Sequence, residues 1–230
     1  MPKEKDTNRR KVLKLGGASL VGFAGFGVGN VNANSGAPTV DPDSTRSVNK
    51  FLEYLSELSY KEQKNAVESL SKKEREPVLD ALSNVQLESI TTVTSEPVET
   101  QSISTAATRL YDAKNVITAQ NDEGTLNLWR FTHRVEWKVD TSDNSIIQGS
   151  QNITQDGRQK AYPWGYRGVH DRSAYFDSDG LNSREEGLFR YCPSDTGVNY
   201  CIEENDHVSW SNISAFPNGQ STKRGGTYKL

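Results

Sequence analysis

Residues 128–140 alternate without an error. Trp129, Phe131, His133, Val135, Trp137 and Val139 take every second position, and Arg130, Thr132, Arg134, Glu136 and Lys138 lie between them. A period of two puts the two sets on opposite faces of a β-strand. The largely apolar set needs a core and the charged set needs water, so this is a half-buried strand of an antiparallel sheet. The means to build that core are concentrated downstream. All four Trp, both Cys, all three His and six of the nine Tyr lie beyond residue 113.

Further strand and turn signals follow. Asp140-Thr141-Ser142-Asp143-Asn144 turns the chain into a strand at 145–154, and Asp156-Gly157 reads as a second turn. Residues 161–170 are aromatic and broken by glycine, 172–176 suit a short strand, and Asp177-Ser178-Asp179-Gly180 ends it. Residues 187–192 and 198–202 flank Pro193-Ser194-Asp195-Thr196-Gly197, a hairpin with a cysteine on each arm. Segments 208–210 and 213–216 supply a last strand before Pro217-Asn218-Gly219. The pattern predicts a mainly β protein: a β-sandwich or small barrel over 113–222 with one disulfide hairpin, then a tail at 223–230.

Upstream the signals are helical. Ser59 with Glu62 and Ser71 with Glu74 have capping-box spacing, each followed by an apolar group. Pro77 is read as sitting early in its helix, where a missing N–H costs least. Three short helices are predicted within 47–92, the first over 48–58. Residues 34–46 read as a polar linker and 93–112 as a Ser/Thr-rich one. The chain is 33% hydrophobic with a mean hydropathy of -0.73. Globular chains average about 45–50% apolar on a count that includes glycine. One core built from the whole chain is therefore not expected, and the helices read as a spacer or pro-region ahead of the β-domain.

Asn8-Arg9-Arg10-Lys11-Val12-Leu13-Lys14 resembles the twin-arginine export signal. A weakly apolar run over 15–29 follows, and Val31-Asn32-Ala33 offers small residues for cleavage after Ala33. The expectation is a removable leader over 1–33 on a secreted or cell-surface protein, with membrane contact if the leader is retained. Removing it takes six basic and two acidic residues and leaves 21 basic against 28 acidic, a net of -7. That balance argues against nucleic acid, whose phosphates need a basic stripe. Leu128-Trp129-Arg130, Val135-Glu136-Trp137 and Gly187-Leu188-Phe189-Arg190-Tyr191-Cys192 with Cys201 resemble, over about half the chain, exported all-β domains of unknown function from Gram-positive bacteria and halophilic archaea. The resemblance implies a fold and an exported location and supplies no chemistry.

The sequence contains no GxSxG, HExxH, Walker or GxGxxG pattern. No catalytic residue, cofactor or metal is assigned. Cys192 and Cys201 are expected to form a disulfide, as exported cysteine pairs do. Tyr162, Trp164 and Tyr166 form an aromatic cluster suited to stacking on a sugar or contacting a protein. Asp177, Asp179 and Asn182 make an oxygen-rich loop of the kind calcium uses, but off EF-hand spacing, and read first as a solvated turn. Asn152 and Asn212 head glycosylation sequons. His133 reads as an inert core histidine. His170-Asp171 and Asp206-His207 each pair a base with a carboxylate, but neighbours in a strand face opposite ways. Three function classes follow. The first is a non-enzymatic binding module for an extracellular protein or glycan. The second is a secreted antagonistic polypeptide with 34–112 as pro-region, and the third is a small hydrolase.

Overall fold

The computed structural model of the chain describes residues 36–94, 108–193, 201 and 205–230. The leader with Arg9, Arg10 and Ala33, and nearly all of the expected hairpin arm 198–202, lie outside the described residues. Three helices come first: α1 (Thr45–Ser56), α2 (Tyr60–Glu68) and α3 (Lys72–Ser83). Among the described residues nine strands follow: β1 (Val85–Thr94), β2 (Thr108–Asn121), β3 (Asn127–Asp140), β4 (Ser145–Ile146), β5 (Asn152–Gln159), β6 (Trp164–Phe176), β7 (Leu181–Tyr191), β8 (Asp206–Ala215) and β9 (Ser221–Lys229).

The strands form two antiparallel sheets arranged as a sandwich. One runs β1-β2-β3-β4, with β5 also pairing β3; the other runs β6-β7-β8-β9. The long alternating segment is β3, and Trp129, Phe131, His133, Val135, Trp137 and Val139 are all buried. Two apolar clusters fill the interior. One, at one end, holds Ala113, Val135, Trp137, Val139, Leu181, Ile213 and Ala215. The other joins Leu128, Trp129, Phe131, Trp164, Phe189 and Tyr191 to the helices. Between them lies a polar belt. His133 Nδ1 is 3.0 Å from Ser211 Oγ and Nε2 is 3.0 Å from Ser183 Oγ. Asn115 Nδ2 donates to Ser211 Oγ and to the Arg224 carbonyl. Ser211 Oγ thus accepts from Asn115, and the His133 ring is tied at both nitrogens to serine hydroxyls.

Several segments differ from the sequence reading. Residues 36–44 are not a linker with nothing to bury, since Val40 is in the core and the Ser44 side chain caps α1. The helical segment ends at Ser83, and Val85 already pairs with Asn121. Residues 108–112 belong to β2 and 223–229 to β9, so neither is linker or tail. Glycines hid β9: a Cβ on Gly225 would meet Ile117 of the facing sheet at 2.8 Å, and one on Gly226 would meet the Trp210 ring at 3.1 Å. Pro77 is the sixth residue of α3, beyond its first turn. Both capping boxes are formed, with Glu62 returning to Ser59 N at 2.9 Å and Glu74 to Ser71 N at 3.0 Å.

The helices are no detached spacer. Residues 36–230 form one compact unit, in which Val48, Phe51, Leu52, Leu55, Val67, Val78 and Leu82 share a cluster with the strand residues above. Polar clamps fix the docking. Trp164 Nε1 donates to the Leu82 carbonyl at 2.8 Å and the Tyr191 hydroxyl to the Leu79 carbonyl at 2.7 Å. Buried Gln63 donates to the carbonyls of Leu55, Leu58 and Lys160 and accepts from Tyr162 N. The strand partner of β7 is β8 at 206–215, with Phe189 opposite His207. The Cys192–Cys201 disulfide therefore lies in the connection between those two strands.

Candidate functional site

The sandwich corner beneath α2 carries a cleft of about 530 Å³. The Ser59 capping box starts α2 at Tyr60 and sets Lys64 one turn further along. Tyr60 is 36% exposed, and its hydroxyl donates to the Trp164 carbonyl at 3.2 Å. Its ring meets that of Tyr162 edge-on at 6.1 Å. Tyr162 precedes Pro163 through a cis peptide, in the connection from β5 to β6.

Tyr166 forms the next wall. Its ring fills a slot left by two glycines. A Cβ on Gly157 of β5 would collide with it, and one on Gly187 of β7 would lie 3.1 Å away. Its hydroxyl donates to Gln155 Oε1 at 2.8 Å. Asp156-Gly157 is thus mid-strand in β5, pairing with Thr132 and Phe131, and not a turn. Glycine is needed there to admit the aromatic ring.

Arg167 reaches the cleft through a backbone irregularity. Tyr166 pairs with Phe189 and Gly168 with Leu188, so Arg167 is the extra residue of a β-bulge and Gly168 takes φ +111°. Bulges re-aim side chains in this way. The Arg167 guanidinium lies 2.7 Å from Cys192 Sγ and 2.8 Å from Cys201 Sγ. With Gln159 and Lys64 these groups line the cleft, and among the described residues no carboxylate lines it. Burial pushes the Tyr60 phenol up, helped by Tyr162 and opposed by Arg167, and burial also pushes Tyr166 up. Both rings therefore stay protonated near neutral pH.

Of the aromatic trio expected to contact ligand, Tyr162 and Tyr166 line this cleft and Trp164 does not. Trp164 is fully buried against Trp129, Tyr191 and His207 and bonded to α3. Alternation puts Trp164 and Tyr166 on the same face of β6; their place along the strand separates them, Trp164 bonding to α3 and Tyr166 packing over Gly157 and Gly187. Sequence reasoning missed Tyr60, Lys64, Gln159 and Arg167. Gly165 and Gly168 around Tyr166-Arg167 were the available signal, since glycine inside a strand pattern marks a bulge.

The remaining candidates lie elsewhere. Asp177 spends both carboxylate oxygens within its own turn: Oδ1 accepts from Asp179 N and Gly180 N, and Oδ2 from Asn182 Nδ2. Asn182 Oδ1 accepts from Ser214. Among the described residues no group of three His, Cys, Asp or Glu could hold a metal. Asn152 is exposed at the start of β5, while Asn212 is half-buried in β8 and accepts from Arg184. Asp206 pairs with Arg190 on one face of β8, while His207 packs on Trp129 and Trp164 from the other. His133 is wholly buried, and burial pulls its pKa down to about 4.

No protein-family model, curated protein or solved structure matches the chain.

Proposed function

We propose that this chain is an exported, non-enzymatic binding module whose extracellular ligand seats in the cleft between α2 and the β5–β6 corner. One observation carries the reading: Tyr60, Tyr162 and Tyr166 converge with Lys64 and Arg167 around about 530 Å³ of open space. Clefts of about 300–1,000 Å³ with a few convergent polar groups are the usual form of a ligand site. The groups present favour holding over turnover. The two shifted phenols are pushed away from neutral pH, the cysteines are paired, and among the described residues the lining offers no carboxylate for general acid–base work. Export is supported by the twin-arginine segment at Arg9-Arg10 and by the disulfide, a bond kept in oxidising compartments.

The test is binding of the purified full chain to an array of extracellular glycans and proteins, with Tyr166→Ala alongside. A ligand retained by the native chain and lost by Tyr166→Ala at unchanged folded content is the expected result. Binding that is indifferent to the substitution would move the site elsewhere.

A further inference from the structure

We infer that the cleft takes a saccharide bearing a carboxylate, a uronic-acid sugar. This rests on the binding reading above and narrows it to one ligand chemistry.

The first observation is Arg167. No carboxylate lies within ion-pair distance of it among the described residues, where its guanidinium meets the two disulfide sulfurs. Sulfur is a weak acceptor, whereas a guanidinium carries five donors shaped for a carboxylate fork. The bulge delivers this side chain into the cleft and gives it nothing strong to hold. Lys64 adds a second cation, and its contact to Glu68 is 3.8 Å long with both side chains over a third exposed. Exposed i,i+4 pairs of that kind are weak, so Lys64 is readily shared with a ligand. A cationic cleft on a chain with more acidic than basic residues selects an anion.

The second observation separates a sugar from a peptide. Tyr60 and Tyr166 spend their hydroxyl protons on Trp164 O and Gln155 Oε1. Their oxygens are left as acceptors, and sugar hydroxyls are donors. Gln159 offers both roles. Among the described residues the lining contains no Leu, Ile, Val, Met or Phe. An acidic peptide docking through apolar anchors would find no aliphatic pocket, while a sugar ring needs only aromatic surface and hydrogen bonds.

Titration calorimetry of the full chain at low salt decides the matter, with trigalacturonate, neutral galactotriose and hexaglutamate as probes. Trigalacturonate is expected to bind at least tenfold more tightly than either other probe. Arg167→Ala should lose at least tenfold and Lys64→Ala less, while Arg167→Lys, which keeps charge and loses the fork, should fall between native and Arg167→Ala. Arg167 is exposed, so its variants should keep the native denaturation midpoint. Galactotriose binding as tightly as trigalacturonate, with sensitivity to Tyr166→Ala, would overturn the uronic-acid inference and leave the cleft as a binding site. Equal binding of hexaglutamate would make the ligand an acidic peptide and also overturn it. Failure of trigalacturonate beside a Tyr166-dependent hit on the array sinks the sugar acid alone; failure of every probe and of the array sinks both.

Discussion

His133 sits between Ser183 and Ser211 with none of its surface in water, and burial holds the ring neutral down to about pH 4. In the unfolded chain the same ring protonates below about 6.5. Between those values the unfolded state binds the extra proton, so stability falls as pH falls, by about 3 kcal/mol when the window is crossed. His207, lowered mainly by burial, adds in the same direction. Glu185, raised by burial despite Arg172, works the other way and contributes stability that is lost as pH rises. Urea denaturation at pH 7 and pH 4.5 should show the loss, and His133→Gln, though weaker at pH 7, should show a shallower slope; an unchanged slope would refute the assignment. Gly157 makes a second residue-scale prediction. Gly157→Ala would drive a methyl into the Tyr166 ring and should cost about 1–3 kcal/mol, the usual penalty of overpacking. The readout is the denaturation midpoint, and a neutral result would show that Tyr166 can leave its slot without cost.

At the scale of elements, the Gln63 amide clamps α2 beside the buried Val67 and the Tyr60 hydroxyl bond to Trp164 O. Gln63 shares its two amide protons among the carbonyls of Leu55, Leu58 and Lys160 and accepts from the buried Tyr162 N–H. Gln63→Leu keeps the bulk but orphans those groups, and each unsatisfied buried group costs about 1–3 kcal/mol. A midpoint loss worth at least about 2 kcal/mol, with faster amide exchange at Tyr162, is expected. None of this docking was legible, because Gln63 and Tyr162 are far apart in sequence and neither breaks a local rule. What was legible is what local physics writes: β3, whose outer face is charged and inner face mostly large and apolar, and the two capping boxes. β7 and β8 read less well because Ser183, Glu185, Ser209 and Ser211 occupy inward positions and blur the period. β6 lost its period to two register shifts, one of which supplies Arg167 to the cleft. Of the candidate site, Tyr162, Tyr166 and the paired cysteines were therefore visible, and the cations Lys64 and Arg167 were not.

For the whole molecule, the question is whether residues 36–112 can be removed as a pro-region. They bring three helices, β1 and the first strand-length of β2, and seven helix side chains are buried in the cluster that also holds Trp129 and Trp164. Burying each such side chain contributes about 1.5–3 kcal/mol, so together they represent on the order of 10–20 kcal/mol of gross burial. Net domain stability is only about 5–15 kcal/mol. Cutting at residue 112 would also leave Trp164 Nε1 and the Tyr191 hydroxyl without their α3 carbonyls and would remove Tyr60 and Lys64 from the cleft. A fragment starting at residue 113 should consequently be aggregated or unfolded by circular dichroism and amide exchange, while a chain starting at residue 36 should give a cooperative transition. If the chain is exported as proposed, intact mass of the form recovered from culture medium should show that it retains the helices. A stable, cooperatively folding 113–230 fragment would mean that the helices are dispensable clothing on the sandwich, and the cleft would lose one of its two walls as a reason for its existence.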